Sequence, residues 1–377
     1  MPSLVKGALR ALPLVAVLSA LIAPAAVAAP PALTDPTQTW EQTFGDEFNG
    51  VAVDPTKWAT CYWWVSGNAC TNPNNGEQEL YTPANVIESD GTLKLRAQKQ
   101  TTLGPDGKTY DYTSGMISSG RDTSLLSTPP RYEFKYGYTE MRAKLPKGTG
   151  LWPAFWTLPS SQGWPPEIDA MENRVDRPND INVGVYNKDA NGNTVHGSVW
   201  VNGLADYTAG YHTFAVDWEP AYIDWYVDGV LRIRVTDPVR IPTQPMYVIA
   251  NLAVGGSWPG APDASTPFPS DLDIDWIHVY QRTTDRTAPS VAITSPQNGA
   301  TVKRNTNVTV SATASDNVAV SKVEFYADAT LLGTDTAAPY SATWKTGTRK
   351  GFQTITAKAY DPAGNVTTTP TSTVYVS

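Results

Sequence analysis

Apolar and polar residues alternate in short runs from Trp40 onward. Thr92–Ala97, Tyr138–Lys144 and Thr213–Trp218 each repeat with period two, the pattern of strands with one face in a core and one in water. Ile223–Val227 and Val230–Val235 do the same, and the Asp228-Gly229 pair between them supplies the positive φ angles of a two-residue turn, so a hairpin is predicted there. No helical period of useful length interrupts residues 39–282. The expected fold is all-β, a sandwich of roughly 240 residues, with Trp218, Trp225 and Trp276 facing its core.

The pattern breaks at 283–290, where Asp285, Arg286 and Pro289 read as a linker. Strands resume beyond it, separated by Asp316-Asn317 and by Asp361-Pro362-Ala363-Gly364-Asn365 turn chemistry. Residues 291–377 fit a small immunoglobulin-like β-sandwich without the antibody cysteine pair. Tyr326, Tyr340, Trp344 and Phe352 stand at positions expected to face its core, which makes it a spacer more than a sugar binder. At the other end, Lys6 and Arg10 precede the apolar run Ala11–Ile22 and the Ala26-Val27-Ala28 cleavage pattern. Residues 1–28 therefore read as a secretory signal peptide and the mature protein as extracellular. Residues 29–38, rich in Pro and Thr, read as a disordered lead-in.

Charge narrows the partners. The net charge is −8, and beyond Thr283 eight basic residues face six acidic ones, so the acid excess lies in the first domain. That balance argues against nucleic acid and anionic membranes and favours a neutral substrate. Cys61 and Cys70, the only cysteines, predict one disulfide in an exported chain. His196, His212 and His278 show no metal-ligand spacing and read as structural. No serine occupies a nucleophile elbow.

The most informative stretch is Gly163-Trp164-Pro165-Pro166-Glu167-Ile168-Asp169-Ala170-Met171-Glu172-Asn173. In a strand Glu167 and Asp169 share a face, whereas Glu172 would turn into the core with Ile168 and Ala170. Burying an unpaired carboxylate there is costly. One extra residue near Ala170-Met171, a β-bulge, returns Glu172 to the acidic face. Two glutamates four ladder positions apart that lean together bring their carboxyls to roughly 5–6 Å, near the separation of retaining glycosidases and short of the inverting range. A surface acidic strand or a divalent-metal site are the other readings of these residues. Tryptophans crowd the same region: Trp152 and Trp156 precede the acids, Trp164 adjoins them, and Trp258 sits in a Gly-rich loop after Asn251. Flat aromatic surfaces suit sugar faces.

Glu167-Ile168-Asp169-Ala170-Met171-Glu172 resembles the Glu-x-Asp-x-x-Glu signature of glycoside hydrolase family 16 in its laminarinase-like form. Gly45–Gly50, Asn75–Thr82, Tyr136–Glu140, Leu151–Trp156, His212–Pro220 and Asn251–Gly260 agree with it in order. The resemblance implies a concanavalin A-like β-jelly roll with a concave substrate cleft. It also implies endo-hydrolysis of β-1,3- or mixed β-1,3-1,4-glucan with retention; separately, a monomer is expected. Glu167 would be the nucleophile, Glu172 the general acid/base and Asp169 the residue between them. Trp152, Trp156, Trp164, Asn251 and Trp258 would bind substrate, and no cofactor would enter catalysis. A structural calcium would lie near Glu47, the backbone of Gly91 and Asp275. Two departures put the sugar in doubt: Met116 stands where many laminarinases have arginine, and Asn182–Asn187 replaces a His-Gly-Thr-x-His segment. A galactanase, agarase or carrageenase type, or a non-catalytic glycan-binding protein, are the alternatives.

Overall fold

A computed structural model describes residues 30–65 and 68–377; the expected signal peptide lies outside them. Two sheets face each other over residues 38–284. One has ten strands, with Gly137–Lys144 and Ser270–Thr284 near its middle. The other has six, in the order Thr194–Val201, Ile181–Lys188, Glu167–Glu172, Leu151–Pro159, Met246–Val254, Met116–Ser118. Every neighbour in the six-stranded sheet is antiparallel.

The predicted alternation fills the space between them. Leu93, Leu95, Met141, Phe214, Val216, Trp218 and Trp225 from the larger sheet meet Phe155, Ile168, Met171, Val183, Val185 and Val248 from the smaller. In the strand Thr92–Leu103, Thr92, Lys94 and Arg96 take the wetter face while Leu93, Leu95 and Ala97 are buried. The 222–235 hairpin turns on Asp228 (φ 51°) and Gly229 (φ 71°), both left-handed as a type I′ turn requires. Met246–Val254 departs from alternation, because all nine residues are buried. Met246, Val248, Ala250, Leu252 and Val254 enter the main core, while Tyr247 and Ile249 join a second cluster with Tyr62, Cys70, Tyr81, Met116 and Leu158. Cys61 and Cys70 are disulfide-bonded as expected, so the loop they close packs as a second layer on the smaller sheet.

Both expected loose segments are tied down. Gln38 already opens the strand Gln38–Asp46, which pairs with Ser270–Thr284, and the Trp40 indole donates to the Pro31 carbonyl at 2.8 Å. Paired strand therefore runs to Thr284, two residues into the expected linker, and Asp285 N–H donates to Thr37 O at 2.9 Å.

The C-terminal module has a three-stranded and a six-stranded sheet around Val310, Phe325, Trp344, Ile355 and Val374. Tyr340 and Trp344 are buried as predicted; Tyr326 is not in the core, because Val323, Phe325 and Ala327 take the inward positions of its strand and leave it half-buried with its hydroxyl on Glu324. Phe352 corrects the expectation: it is 76% exposed, 5.1 Å from the Tyr375 ring. In Gly351–Tyr360 the core positions are Ile355, Ala357 and Ala359, so period two turns residue 352 outward.

One hydrogen bond links the two sheets beneath the acidic strand: the Trp225 indole donates to the Asp169 main-chain carbonyl at 2.8 Å. Trp225→Phe leaves that buried acceptor without its donor and should lower unfolding free energy by about 1–3 kcal/mol. Urea denaturation measures the loss; an unchanged midpoint would show that another donor replaces the indole.

Candidate active site

The bulge lies where the spacing requires it. Against Leu151–Pro159, Met171 pairs with Phe155 but Asp169 pairs with Trp156, so Ala170 is the extra residue. Against Ile181–Lys188, Glu167 faces Tyr186, Asp169 faces Gly184 and Glu172 faces Asn182, which sets the two glutamates four partner positions apart. Ile168, Ala170 and Met171 all enter the core. Gly184 makes room for the acid opposite it, since a Cβ there would lie 2.8 Å from Asp169 Oδ2.

Burial governs the protons of this cluster. It pushes Glu167 up to about 7, and Glu172 up to about 8 with the Glu167 charge adding to the effect. Asp169 is pushed well above the carboxylate range, first by burial and then by the charges of Glu167 and Glu172. Burial and the two neighbouring charges thus favour the protonated form of Asp169, and its contact with Glu167 in turn favours the Glu167 anion. All three acids are held up by desolvation.

Indoles complete the site. Trp164 Nε1 donates to Glu167 Oε2 at 2.8 Å, and Trp152 Nε1 to Glu172 Oε1 at 3.1 Å. Trp164 is 54% exposed and leads into Tyr186 (5.7 Å), which stacks on His196 (5.5 Å). On the Glu172 side Trp152 meets Trp258 at 5.2 Å and Trp258 stacks on Trp200 at 5.5 Å. Arg174 lies over Trp258 and Arg177 over Trp200, paired with Asp176 and Asp180 respectively.

Other expected site residues are engaged by protein partners. Trp156 donates to Asn251 Oδ1 at 2.7 Å and Asn251 Nδ2 donates to Tyr81 OH at 3.1 Å. The buried Asn251 has both ends of its amide committed and supports Trp156 on the acidic face of the sheet rather than standing as an open sugar ligand. Met116 is fully buried in the second cluster, so it is no cleft position, because the Cys61–Cys70 layer covers it. Asn187 spends its amide on the Val239 and Ile241 carbonyls.

Glu47 pairs with His278, and Asp275 with Arg142. Both carboxylates expected to hold calcium are committed to protein cations, a donor set that does not fit the ion unless they are displaced. His212 pairs with Asp228.

Glu77 and Glu79 were not expected in the site. Glu79 is fully buried, with Oε2 accepting from Val254 N–H at 2.7 Å, and Tyr81 OH links Glu77 to Asn251. Burial raises both acids. Their i, i+2 spacing was a signal available in the sequence. Tyr186, His196 and Trp200 carry no motif; only strand pairing brings them to the acids.

Residues 74–278 match the sequence profile of Glycosyl hydrolases family 16, and 289–357 that of a Bacterial Ig domain. An endo-1,3-1,4-beta-glycanase, ExsH, of Rhizobium meliloti is 34% identical over 260 residues, covering 65% of this chain and 52% of that one. The chain thus spans about half the length of that relative. A beta-glucanase of Rhodothermus marinus is 32% identical, with 66% of this chain and 87% of that one covered. The solved endo-beta-1,3-glucanase of Pyrococcus furiosus is 34% identical, covers 68% of this chain and 100% of that one, and superposes with a TM-score of 0.56. With the profile spanning more than half of its length and a jelly-roll sandwich beneath the acids, this chain belongs to glycosyl hydrolase family 16.

Proposed function

We propose that this protein is a secreted, retaining endo-glycosidase acting on neutral β-glucan of the β-1,3 or mixed β-1,3-1,4 class. The observation that carries the reading is the bulged strand, which sets Glu167 and Glu172 on one face with Asp169 between them. Glu172, the glutamate with the higher affinity for a proton, donates it to the glycosidic oxygen as that bond to the anomeric carbon breaks. Glu167, kept anionic by the Asp169 hydrogen bond, attacks the same carbon and forms a glycosyl ester. Water then adds at that carbon, giving its proton to Glu172 and releasing Glu167, so the product keeps its configuration.

The glucanase names among the relatives described above support a glucan, and so does the charge around the cleft. Arg174 and Arg177 are the cations nearest the Trp258 and Trp200 faces, and each is neutralised by its own aspartate. A sulfated or uronic chain would find little free positive charge there. Glucose rings stacked between the Trp152–Trp258–Trp200 group and the Trp164–Tyr186–His196 group would lie across the scissile position. Incubation with laminarin, barley β-glucan, agarose, carrageenan and β-1,3-galactan tests the assignment by reducing-sugar release. Activity confined to a galactan would overturn the substrate and leave the carboxylate mechanism standing.

Glu167→Gln and Glu172→Gln should each lower turnover by about 10²–10⁴-fold or more in protein that remains folded; near-parental rates, or an inverted product by NMR, would refute the roles. Gly184→Ala pushes a methyl against Asp169 Oδ2. It should cut kcat and displace the acidic limb of the pH profile, since it acts through the Asp169–Glu167 bond.

For the free enzyme, kcat/KM should rise as Glu167 ionises near 7 and fall as Glu172 deprotonates near 8, with both limbs belonging to the coupled cluster. Stability follows the opposite logic at high pH. The folded acids bind protons more tightly than the ordinary value of 4.5, so the cluster's contribution is full below that pH and is lost as pH rises through 7 to 8. Glu172→Gln should therefore melt higher than the parent at alkaline pH and no higher in acid, as calorimetry at both ends would show.

A further inference from the structure

The residues that close the expected linker assemble a second acidic centre, far along the chain from the bulged strand. Asp285, Asp316 and Asp361 each present a carboxylate oxygen, and these atoms lie within 4.8 Å of one another. They come from three places: the end of the last sandwich strand, and the two turns that the sequence marks as Asp316-Asn317 and Asp361–Asn365. Asp285 and Asp361 are only 2% and 3% exposed. Among the described residues, no Lys, Arg or His forms an ion pair with any of the three.

Hydrogen bonds account for part of this cluster and leave a specific remainder. Asp285 Oδ1 accepts from Thr287 N–H (3.0 Å) and Asn317 Nδ2 (3.2 Å), but its buried Oδ2 has no donor. Asp316 Oδ2 accepts from Val318 and Ala319 N–H (2.9 and 3.1 Å), while its buried Oδ1 has none. Asp361 is held by the Asn365 main chain and side chain at 2.8 and 2.7 Å. Each turn thus fixes its carboxylate, and two of the three keep a buried oxygen without a protein donor. Buried carboxylate oxygens lacking both donor and cation are expensive, and three carboxylates at this spacing repel one another.

We propose that Asp285, Asp316 and Asp361 bind a calcium ion at the junction between the sandwich and the immunoglobulin-like module. The donors are all oxygens, with no histidine or cysteine, which selects a hard cation, and their origin in separate turns suits the flexible coordination of calcium over the strict octahedron of magnesium. Three side chains leave positions for water and main-chain oxygen. The ion would do more than stabilise the module. Asp285 N–H is bonded to Thr37 beside the first strand, and Asp285 O accepts from Asn365 Nδ2 at 3.0 Å. A cation on its side chain therefore locks the residue that joins both bodies and makes the connection stiff.

The test uses the full chain, stripped of divalent ions with chelator and titrated with calcium chloride by calorimetry. Calcium uptake should fall by one equivalent, or weaken by about tenfold or more, in Asp316→Asn or Asp285→Asn. No uptake by the unmodified chain, or unchanged uptake in both variants, overturns the proposal. A readout independent of any variant is trypsin cleavage after the exposed Arg286. Calcium should slow it several-fold in the unmodified chain, and a rate indifferent to calcium counts against the site. Neither measurement involves polysaccharide, so the outcome is separate from the glycosidase reading.

Discussion

The cleft depends on a single extra residue in one strand. Without Ala170 out of register, period two would send Glu172 into the space filled by Ile168 and Met171, and the acid pair would not exist. The bulge has its own support. The Asp169 carbonyl is held from the opposite sheet by Trp225, and the neighbouring strand offers a glycine where any side chain would touch Asp169. The site is thus secured from both sides of the strand, by an indole from the core and by a glycine on the acidic face.

Desolvation then supplies the reactivity. Three carboxyls in six residues would be a liability on an open surface and are useful only because burial separates their affinities for protons. The indoles of Trp164 and Trp152 donate to the glutamates without bringing a charge of their own. Orientation and electrostatics are therefore delivered by one pair of side chains.

Much of this was legible in the sequence for reasons that are local. Alternation in Thr92–Leu103, the Asp228-Gly229 turn and the five-residue offset between Glu167 and Glu172 each report on neighbours in the chain, and each has its counterpart in the structure. What was missed depends on layers. Met116 and Asn251 look like cleft residues until the disulfide loop and Tyr81 are seen to cover or engage them. Tyr186 and His196 gain meaning only from register, because pairing across two strands sets them beside Glu167. Phe352 was misplaced for a simpler reason: its aromatic character outweighed a parity that Ile355, Ala357 and Ala359 already displayed.

The strand Met246–Val254 carries one more implication. With all nine residues buried, alternate side chains belong to the sandwich core and to the layer beneath the disulfide loop. Neither body of apolar contacts can come apart without stripping a face from the same backbone. The loop is consequently no independent flap. Its amide protons should exchange with solvent as part of the global opening of the sandwich, making the floor of the active site one cooperative unit with the fold that carries it.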